Sequence, residues 1–401
     1  MSHITVIYND GRRVEEVIDF HGYAPISENS QCVIFESQNK MEQIREILAS
    51  IHRGDIPLLY DMTMKSSDEK ARYLATLSIS SYLRFSSLIF FTSGTTGNPI
   101  GVLKSSKHLM SECETHIEWL GQYKIEQCLV TVPFFHIYGY LFGLAIPLSM
   151  GLDIVTKEDF LPYEIVKLCE EKPTLCITNP VFIRAMLRLK GDINLQNTLF
   201  ICSSGPLQSD EAAGFELKYS TQLIQLYGSS ETGGIAIRQR DEILWNPLAG
   251  VNIEAHEGVL SVASPYLSDC IFDDVYRTLS NPFKTTDMIE KVDEKFKIIG
   301  RASELVKIGG KRLSMVEIEN FLETMDGIED ALGFVEYHPS SLRGETLSLY
   351  LVGDGAKIDK TVLKKALHDQ FGGIHIECKI IMLKALVKTA LGKKVRQHIT
   401  T

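Results

Sequence analysis

No two of the eight cysteines form a C-x-x-C pair. Cys32, Cys113, Cys128, Cys169, Cys176, Cys202, Cys270 and Cys378 are scattered, several inside apolar runs such as TLFICSSG around Cys202. A metal or disulfide framework therefore has no spacing to support it, and free buried thiols in a reducing compartment are expected. A long apolar run is also missing. The longest, GYLFGLAIPLSMG over 139–151, is too short to span a bilayer and contains Pro147. The first residues, MSHITVIYNDGRRVEEV, lack the basic-then-apolar order of a secretory signal. These absences make a cytoplasmic location and no membrane partner the expectation. An excess of positive charge is absent too: 41 Lys and Arg stand against 51 Asp and Glu, for a net charge of −10. That balance argues against nucleic acid as a general partner, although a local patch can still hold an anionic small ligand. No internal repeat or low-complexity tract is visible. With 44% apolar and 23% charged residues, disorder, a collagen-like repeat and a disulfide miniprotein are excluded.

What remains is a chain of 401 residues, with room for two or three domains and a large buried core. QCVIFES, IPLLYD, SLIFFTS, CLVTVPF, LDIVT, TLCITN, TLFICSSG and LIQLYGSS read as strands. MEQIREILASIHRG, LPYEIVKLCEEK (161–172) and PVFIRAMLRLK (180–190) read as amphipathic helices between them. Alternation of this kind predicts an α/β fold with mostly parallel sheets, in which ligands gather at the carboxyl ends of strands. Near residue 250 the pattern changes to short strands and turns, a small β-rich subdomain. After Gly300 follow a helix (SMVEIENFLETM), strands ALGFVEYH and TLSLYLVG, a helix (DKTVLKKALHDQFGG) and a strand (IHIECKIIML), read as a separate α+β domain. The expected division is a large domain over 1–300 and a small one over 303–401. Residues 379–401 hold five lysines, one arginine and no acidic residue, either a solvated face or half of an anion site.

Chemistry concentrates first in SLIFFTSGTTGNPIGV, residues 87–102. A β-rich run opens into Thr92, Ser93, Gly94, Thr95, Thr96 and Gly97. Glycines free the backbone to turn N–H groups inward and the hydroxyls add donors, as a polyphosphate requires. It is not the G-x-x-x-x-G-K-[ST] loop, because no Lys-Ser/Thr pair follows the second glycine. On chemistry alone a plain Gly/Ser turn stays open.

The string TSGTTGNPIGV resembles the phosphate-loop signature of the AMP-forming adenylating superfamily: acyl- and aryl-CoA synthetases, peptide-synthetase adenylation domains and luciferases. Six further matches follow in order. VPFFHIYG (132–139) is similar to the family's aromatic-His segment, and SSGPL (203–207) to its acyl-pocket loop. QLYGSSETGG (225–234) resembles the adenine-and-magnesium motif, and FKTTDM (283–288) the ribose-binding segment. GRASELVKIGGKRLSMVEIE (300–319) looks like the hinge and its following loop, and VKTALGKKVR (387–396) like the catalytic-lysine segment. The first 86 residues match no such motif. The resemblance implies a large N-terminal adenylating domain with mostly parallel sheets and a small β-rich subdomain, plus a small mobile α+β C-terminal domain.

It also implies an activity. A substrate carboxylate attacks the α-phosphorus of ATP in line and expels pyrophosphate. The carboxylate is already ionised at neutral pH, so catalysis reduces to positioning and neutralising charge. By motif match, residues 92–97 take the β,γ-phosphates and Tyr227 offers a ring face to adenine, with Gly205, Gly228 and Ser229 in the same nucleotide set. Ser230 gives a hydroxyl to the α-phosphate. Glu231 holds Mg²⁺, a hard cation that accepts one or two carboxylates plus phosphate oxygens. Asp287 and Arg301 bind the ribose. Lys393 bridges carboxylate and α-phosphate. His136 is a gate beside the carboxylate site, the alternative being a packed core histidine. Tyr138, Ser203, Ser204 and Gly205 are the pocket candidates, near the segment Asn179 to Phe182. The resemblance further implies rotation of the terminal domain about Ser303, after which Gly309 and Gly310 line a tunnel for the thiol of CoA or of phosphopantetheine.

The chain departs from the family pattern at four points, one of them the hinge, where Ser303 stands in place of the usual Asp or Lys. Ile100 stands where members usually carry a lysine that contacts the outer phosphates. A charge-assisted hydrogen bond contributes about 1.5–3 kcal/mol, so its loss implies adenylation slowed by roughly ten- to a hundredfold. Lys104 or Lys107 is the expected substitute. Ser230 replaces the usual Thr and keeps the hydroxyl. The region before the phosphate loop is short, which implies a reduced N-terminal subdomain and a face for homodimerisation or for a carrier protein. FFHIYG has no acidic residue to hold an α-ammonium, which counts against an amino acid substrate. The FHIYG string looks most like that of aryl-CoA and 4-coumarate-type ligases, and this resemblance implies an aryl or arylpropenoic acid first and a medium-chain fatty acid second. Free CoA and an acyl-carrier protein stay open as acceptors. A non-catalytic adenylate-binding relative and a structural protein that borrowed the fold are the alternatives from other classes.

Overall fold

The computed structural model describes residues 1–27, 29–34, 39–60, 86–93, 99–240, 242–273, 275–301, 305–308, 311–337, 345–355, 357–371, 377–388 and 394. The chain divides into two compact units. The first comprises Met1–Ile253 and Ser261–Phe283, the second Glu254–Leu260 and Lys284–Thr401. The boundary falls at Phe283 because the hairpin that follows ties back to the 254–260 segment: Thr285 Oγ1 donates to the Leu260 carbonyl at 3.0 Å and the Ile289 amide to that of Gly258 at 2.8 Å.

The first unit is α/β, as the alternation of patterns predicts. Its nine-stranded sheet runs Asn246–Pro247, Gly233–Gln239, Gln222–Ser229, Thr198–Cys202, Thr174–Thr178, Gln127–Val130, Asp153–Lys157, Ser2–Ile7, Arg13–Ile18. The six strands from Gln222–Ser229 to Ser2–Ile7 are mutually parallel, and antiparallel strands close both edges. Four of these central strands are buried along their whole length except for the ends of Gln222–Ser229, as strands covered on both faces must be. Helices Pro162–Glu171, Pro180–Leu187 and Ser209–Tyr219 cover one face. Ile165, Cys169, Ile183, Met186 and Phe215 recur at helical spacing and pack on Leu129, Cys176, Phe200 and Leu223. Phe200 and Phe215 meet edge-on at 4.9 Å. Asn179 starts the second of these helices, its Oδ1 accepting from the Val181 and Phe182 amides, with Pro180 next.

A second sheet of the same unit runs Val275–Thr278, Cys270–Asp273, Pro99–Lys104, Leu88–Ser93, Ile56–Leu59, Cys32–Ile34. The apolar run at 139–151 folds as consecutive buried helical turns rather than a span. Among the described residues no helix is long and apolar enough to cross a membrane. All eight cysteines are free, and six are buried. The hairpin Ser2–Ile7/Arg13–Ile18, for which the sequence carried no motif, pairs in register with Asp153–Lys157.

In the second unit, Phe283–Val292 and Lys295–Arg301 form an antiparallel pair. Ile328–Tyr337, Glu345–Gly353 and Glu377–Leu383 form a three-stranded mixed sheet. Helices Met315–Glu323 and Lys360–Gln370 pack on that sheet through Ile318, Leu322, Leu363 and Leu367 against Leu347, Leu349 and Leu351. This is the α+β architecture predicted for the C-terminal residues.

Candidate functional site

The parallel strands of the first unit end together on the predicted motifs. Strand Gln222–Ser229 shifts register between Tyr227 and Gly228 as it leaves the sheet. A Cβ on Gly228 would lie 2.4 Å from the Gly233 carbonyl oxygen, so the return strand leaves no room for a side chain there. The connecting turn is laced by its own hydroxyls. The Ser229 amide donates to Thr232 Oγ1 and the Thr232 amide to Ser229 Oγ, both at 3.2 Å. This lacing leaves Ser230 and Glu231, both half-buried, at the tip of the turn. Among the described residues the Glu231 carboxylate has no hydrogen-bond partner, while its main-chain carbonyl accepts from the Ser268 amide at 2.8 Å.

Beneath the turn lie two charged side chains: Lys104, which the sequence offers as a substitute for the lysine missing at Ile100, and Glu112, which no motif assigns. Lys104, at the end of strand Pro99–Lys104, is 0% exposed. Its Nζ donates to the carbonyls of Tyr266 at 2.5 Å and Glu231 at 3.1 Å. Burial pushes its pKa down to about 8, against the opposing pull of Glu112, Glu231 and Asp269. Lys104 is thus committed below the site and does not substitute for the lysine missing at Ile100. Lys107, in the first turn of helix Ser106–Leu120, is exposed. Glu112 on that helix is 2% exposed. Its Oε1 accepts from the Gly234 amide at 2.6 Å and stands 3.8 Å from Nε2 of the buried His116. A signal was present: Glu112 and His116 share a helical face with Leu109, Cys113 and Leu120, where a charge is out of place.

The neighbouring strand end carries the SSGPL loop. Ser203 Oγ donates to the Leu226 carbonyl at 2.8 Å, joining adjacent strand ends. Ser204 holds a left-handed backbone at φ 73°, a conformation that costs about 1–3 kcal/mol in a non-glycine residue and clusters at functional sites. Gly205 is exposed. Arg238 fastens the loop from the return strand, its Nη2 donating to the Leu207 carbonyl at 2.5 Å and to Gln225 Oε1 at 3.0 Å. The Arg238 guanidinium lies 4.6 Å over the Trp245 ring, which in turn meets Tyr227 at 5.5 Å. Arg238 and Trp245 lie outside every quoted motif and were missed.

Tyr138 differs from its expected role. Its ring is buried, and its hydroxyl donates to the Ile201 carbonyl at 2.7 Å with the Thr178 carbonyl at 3.1 Å. Burial pushes its pKa well up. The hydroxyl braces two strand ends and is not available to a substrate. His136 sits at the start of a helical turn, half-buried, with its ring 4.7 Å from that of Phe135. It is not a packed core histidine. Thr92 is half-buried and pairs with Ile100 across the two strands of the phosphate-loop motif. The main chain of Ser93 ends its strand. Gly94, Thr95, Thr96 and Gly97 lie outside the described residues.

In the second unit, Asp287 and Arg301 are directly opposed in the antiparallel pair, and the Asp287 amide donates to Thr285 Oγ1 at 3.1 Å. Ser303, Gly309, Gly310 and Lys393 lie outside the described residues. Lys394 is fastened: its Nζ pairs with Glu323, donates to the Ala331 carbonyl at 2.6 Å and stands 3.1 Å from Asp330 Oδ1. Asp330 also pairs with Lys388.

Among the described residues, no group of three or more His, Cys, Asp and Glu side chains could hold a metal ion. The one unpartnered carboxylate at the turn, Glu231, suits Mg²⁺ carried in on phosphate oxygens and would hold it through a single protein ligand. A cavity of about 370 Å³ lined by Gln122, Glu216, Gln222 and Arg240 lies at the amino end of strand Gln222–Ser229 and contains none of the predicted site residues.

A long-chain-fatty-acid–CoA ligase of Bacillus subtilis is 25% identical over 342 residues, which cover 77% of this chain and 60% of the ligase. A 4-coumarate–CoA ligase of Halorhodospira halophila is 26% identical over 294 residues, covering 71% and 68%. The chain spans about 60% of the length of several curated relatives that it matches. The solved o-succinylbenzoate CoA synthetase of Bacillus subtilis, in complex with its acyl-adenylate intermediate, shares the fold. Its TM-score is 0.81 at 17% identity, covering 99% of this chain and 95% of that one. The family model for the AMP-binding enzyme matches residues 27–255, more than half of the sequence, and on that match the chain belongs to the AMP-binding enzyme family.

Proposed function

We propose that this protein activates a carboxylic acid with ATP and Mg²⁺, releasing pyrophosphate, and passes the acyl group from the adenylate to the thiol of CoA, releasing AMP. The single observation that carries the reading is the Ser229–Thr232 turn at a parallel strand end. Its own hydroxyl lacing leaves the Glu231 carboxylate unpartnered among the described residues, beside the Ser230 hydroxyl. A metal at Glu231 supplies charge neutralisation on the phosphates. The Ser230 hydroxyl addresses the α-phosphate, and Tyr227 carries the adenine. Asp287 and Arg301, whose main chains pair across two adjacent strands, hold the ribose diol, the carboxylate as acceptor and the guanidinium as donor. Lys393 bridges the attacking carboxylate and the α-phosphate. Because the nucleophile is already ionised, these residues need only hold it in line and stabilise charge.

An aryl or arylpropenoic acid is the favoured substrate, with a medium-chain fatty acid second. Support comes from the absence of an acidic residue in FFHIYG and from the names of the relatives, a 4-coumarate ligase and a long-chain fatty acid ligase. His136 gates that acid, and Ser203, Ser204 and Gly205 line its pocket. An acyl-carrier protein presents the same phosphopantetheine arm and is the alternative acceptor. The eight free thiols suit a reducing compartment, and we assign the reaction to the cytoplasm. Ile100 favours a second reading, a non-catalytic adenylate-binding relative, since Lys104 does not replace the missing cation.

Carboxylate-dependent ATP–pyrophosphate exchange, run with Mg²⁺ and no thiol, tests the proposal. The panel is cinnamate, 4-coumarate, benzoates, medium-chain fatty acids and amino acids. Exchange with one acid class establishes adenylation, and CoA and carrier protein are then compared as acceptors. Silence across the panel with ATP bound moves the assignment to the non-catalytic relative. An elution volume at the monomer position, unchanged by carrier protein, would remove both the homodimer and the carrier-docking face.

A further inference from the structure

Lys104 is an expensive residue to bury. An ammonium group taken out of water costs several kcal/mol even after relaxation, and only well-placed partners repay it. Among the described residues Lys104 nevertheless forms no ion pair. Both of its hydrogen bonds go to main-chain carbonyls, those of Tyr266 and Glu231. The Glu231 carbonyl therefore receives two donors, Lys104 Nζ and the Ser268 amide. The segment that supplies Ser268 is itself anchored. Tyr266 Oη donates to the Ala249 carbonyl at 2.9 Å and lies 2.8 Å from Thr115 Oγ1. At the other end of the turn, buried Glu112 takes the Gly234 amide at 2.6 Å. Lys104 and Glu112 are eight positions apart, on a strand and the helix that directly follows it. One short piece of chain thus grips both ends of the Glu231–Gly234 turn, a donor at one end and an acceptor at the other.

We propose that Lys104 and Glu112 are positioning residues that clamp the Glu231–Gly234 turn and so hold the Glu231 carboxylate ready for the metal–nucleotide complex. The inference rests on the function proposed above for Glu231, but the clamp itself can be tested without nucleotide. Neither side chain touches the reacting atoms: each acts through the main chain of the turn. Lys104 is committed to this role instead of reaching the outer phosphates, which explains how a lysine four residues beyond Ile100 serves the site without replacing the missing cation.

The test measures amide hydrogen exchange across residues 229–234 in the full-length protein without nucleotide, for wild type, Lys104→Met, Glu112→Gln and Glu112→Ala. Lys104→Met keeps the length of the side chain and removes the charge. It is expected to unfold at a denaturant midpoint no lower than wild type, yet to exchange the turn amides at least about tenfold faster, with helix Pro180–Leu187 unchanged. Glu112→Gln retains an acceptor for the Gly234 amide and is expected to keep its protection, whereas Glu112→Ala loses it. The clamp is thereby testable from its other end if Lys104→Met fails to fold. Unchanged protection in both Lys104→Met and Glu112→Ala overturns the clamp. Calorimetric titration of Mg²⁺ into protein with ATP then tests the purpose. A Mg²⁺ requirement raised about tenfold in Lys104→Met supports it, and an unchanged requirement overturns it. If wild type binds no ATP at any Mg²⁺ concentration, the function proposed above fails while the exchange result still decides the clamp.

Discussion

The Gly234 amide donates to Oε1 of Glu112 at 2.6 Å, joining a helix to a turn 122 positions further along the chain. The contact is close because the neighbouring Gly233 has no side chain. At φ 70° Gly233 occupies the left-handed region, and a Cβ there would sit 2.5 Å from Glu112 Oε2 and 2.8 Å from the Tyr266 Cβ. Gly233→Ala should therefore cost about 2–4 kcal/mol, backbone strain and overlap together. Urea denaturation of the purified variant measures it. A midpoint equal to that of wild type would show that the helix and turn are not packed this tightly.

Tyr138→Phe removes one hydroxyl from a fully built interior. The Ile201 carbonyl loses the hydroxyl hydrogen bond and the Thr178 carbonyl keeps only the Ser203 amide, at a cost of about 1–2 kcal/mol. Because that hydroxyl is committed to the strand ends, the ranking of carboxylic acids in pyrophosphate exchange should stay as in wild type. A reordered ranking would return Tyr138 to the pocket wall.

The two proposed half-reactions separate in one variant. Lys393→Ala should abolish pyrophosphate exchange and spare thioester formation from a pre-made acyl-adenylate. Glu231→Gln should fold, since its carboxylate has no hydrogen bond to lose among the described residues, and should slow exchange by about a hundredfold or more by weakening metal binding. Full exchange in Lys393→Ala would remove that lysine from the mechanism, and full exchange in Glu231→Gln would remove the metal from that turn.

A pH dependence is built into the second unit. Burial pushes the Asp330 carboxyl up, but Lys388 and Lys394 outweigh it and hold it below the ordinary value of 3.8. Lys394 responds in kind. Burial pushes it down, and Glu323, Glu319 and Asp330 raise it above the usual lysine value. A carboxyl whose folded value is depressed contributes stability that is present above its unfolded value and lost as pH falls through the folded one. Asp330→Asn should thus be less stable than wild type by about 1–3 kcal/mol near pH 6. The gap should close as pH drops below 3.8. A gap of constant size from pH 6 to pH 3, read from denaturation midpoints, would contradict the assignment.

The strands and helices around the site were legible because their signals are local. Ile165 and Cys169, or Ile318 and Leu322, mark helix faces by spacing alone, and the buried runs at 127–130, 174–178 and 198–202 mark covered parallel strands. The motif strings were legible for the same reason: Tyr227 to Gly234 is one contiguous turn, readable without knowing what supports it. The opening hairpin was not, because the partner that makes it part of the sheet, Ile154 for Ile4, lies 150 positions away.

The amino-acid sequence by itself determined the alternation that builds an α/β unit followed by an α+β one, and the ordered strings that mark the family. Both are encoded in neighbouring residues, by periodicity and by glycine and hydroxyl placement. Only the tertiary structure decided which charged side chains serve the turn. Lys104 could have reached for phosphate and Tyr138 for a substrate ring, and the local pattern permits either. Their hydrogen bonds go instead to carbonyls contributed by distant turns, for Lys104, and distant strands, for Tyr138. In a closed interior a buried donor takes the acceptor that packing brings to it, since one left unmade costs more than the bond gains.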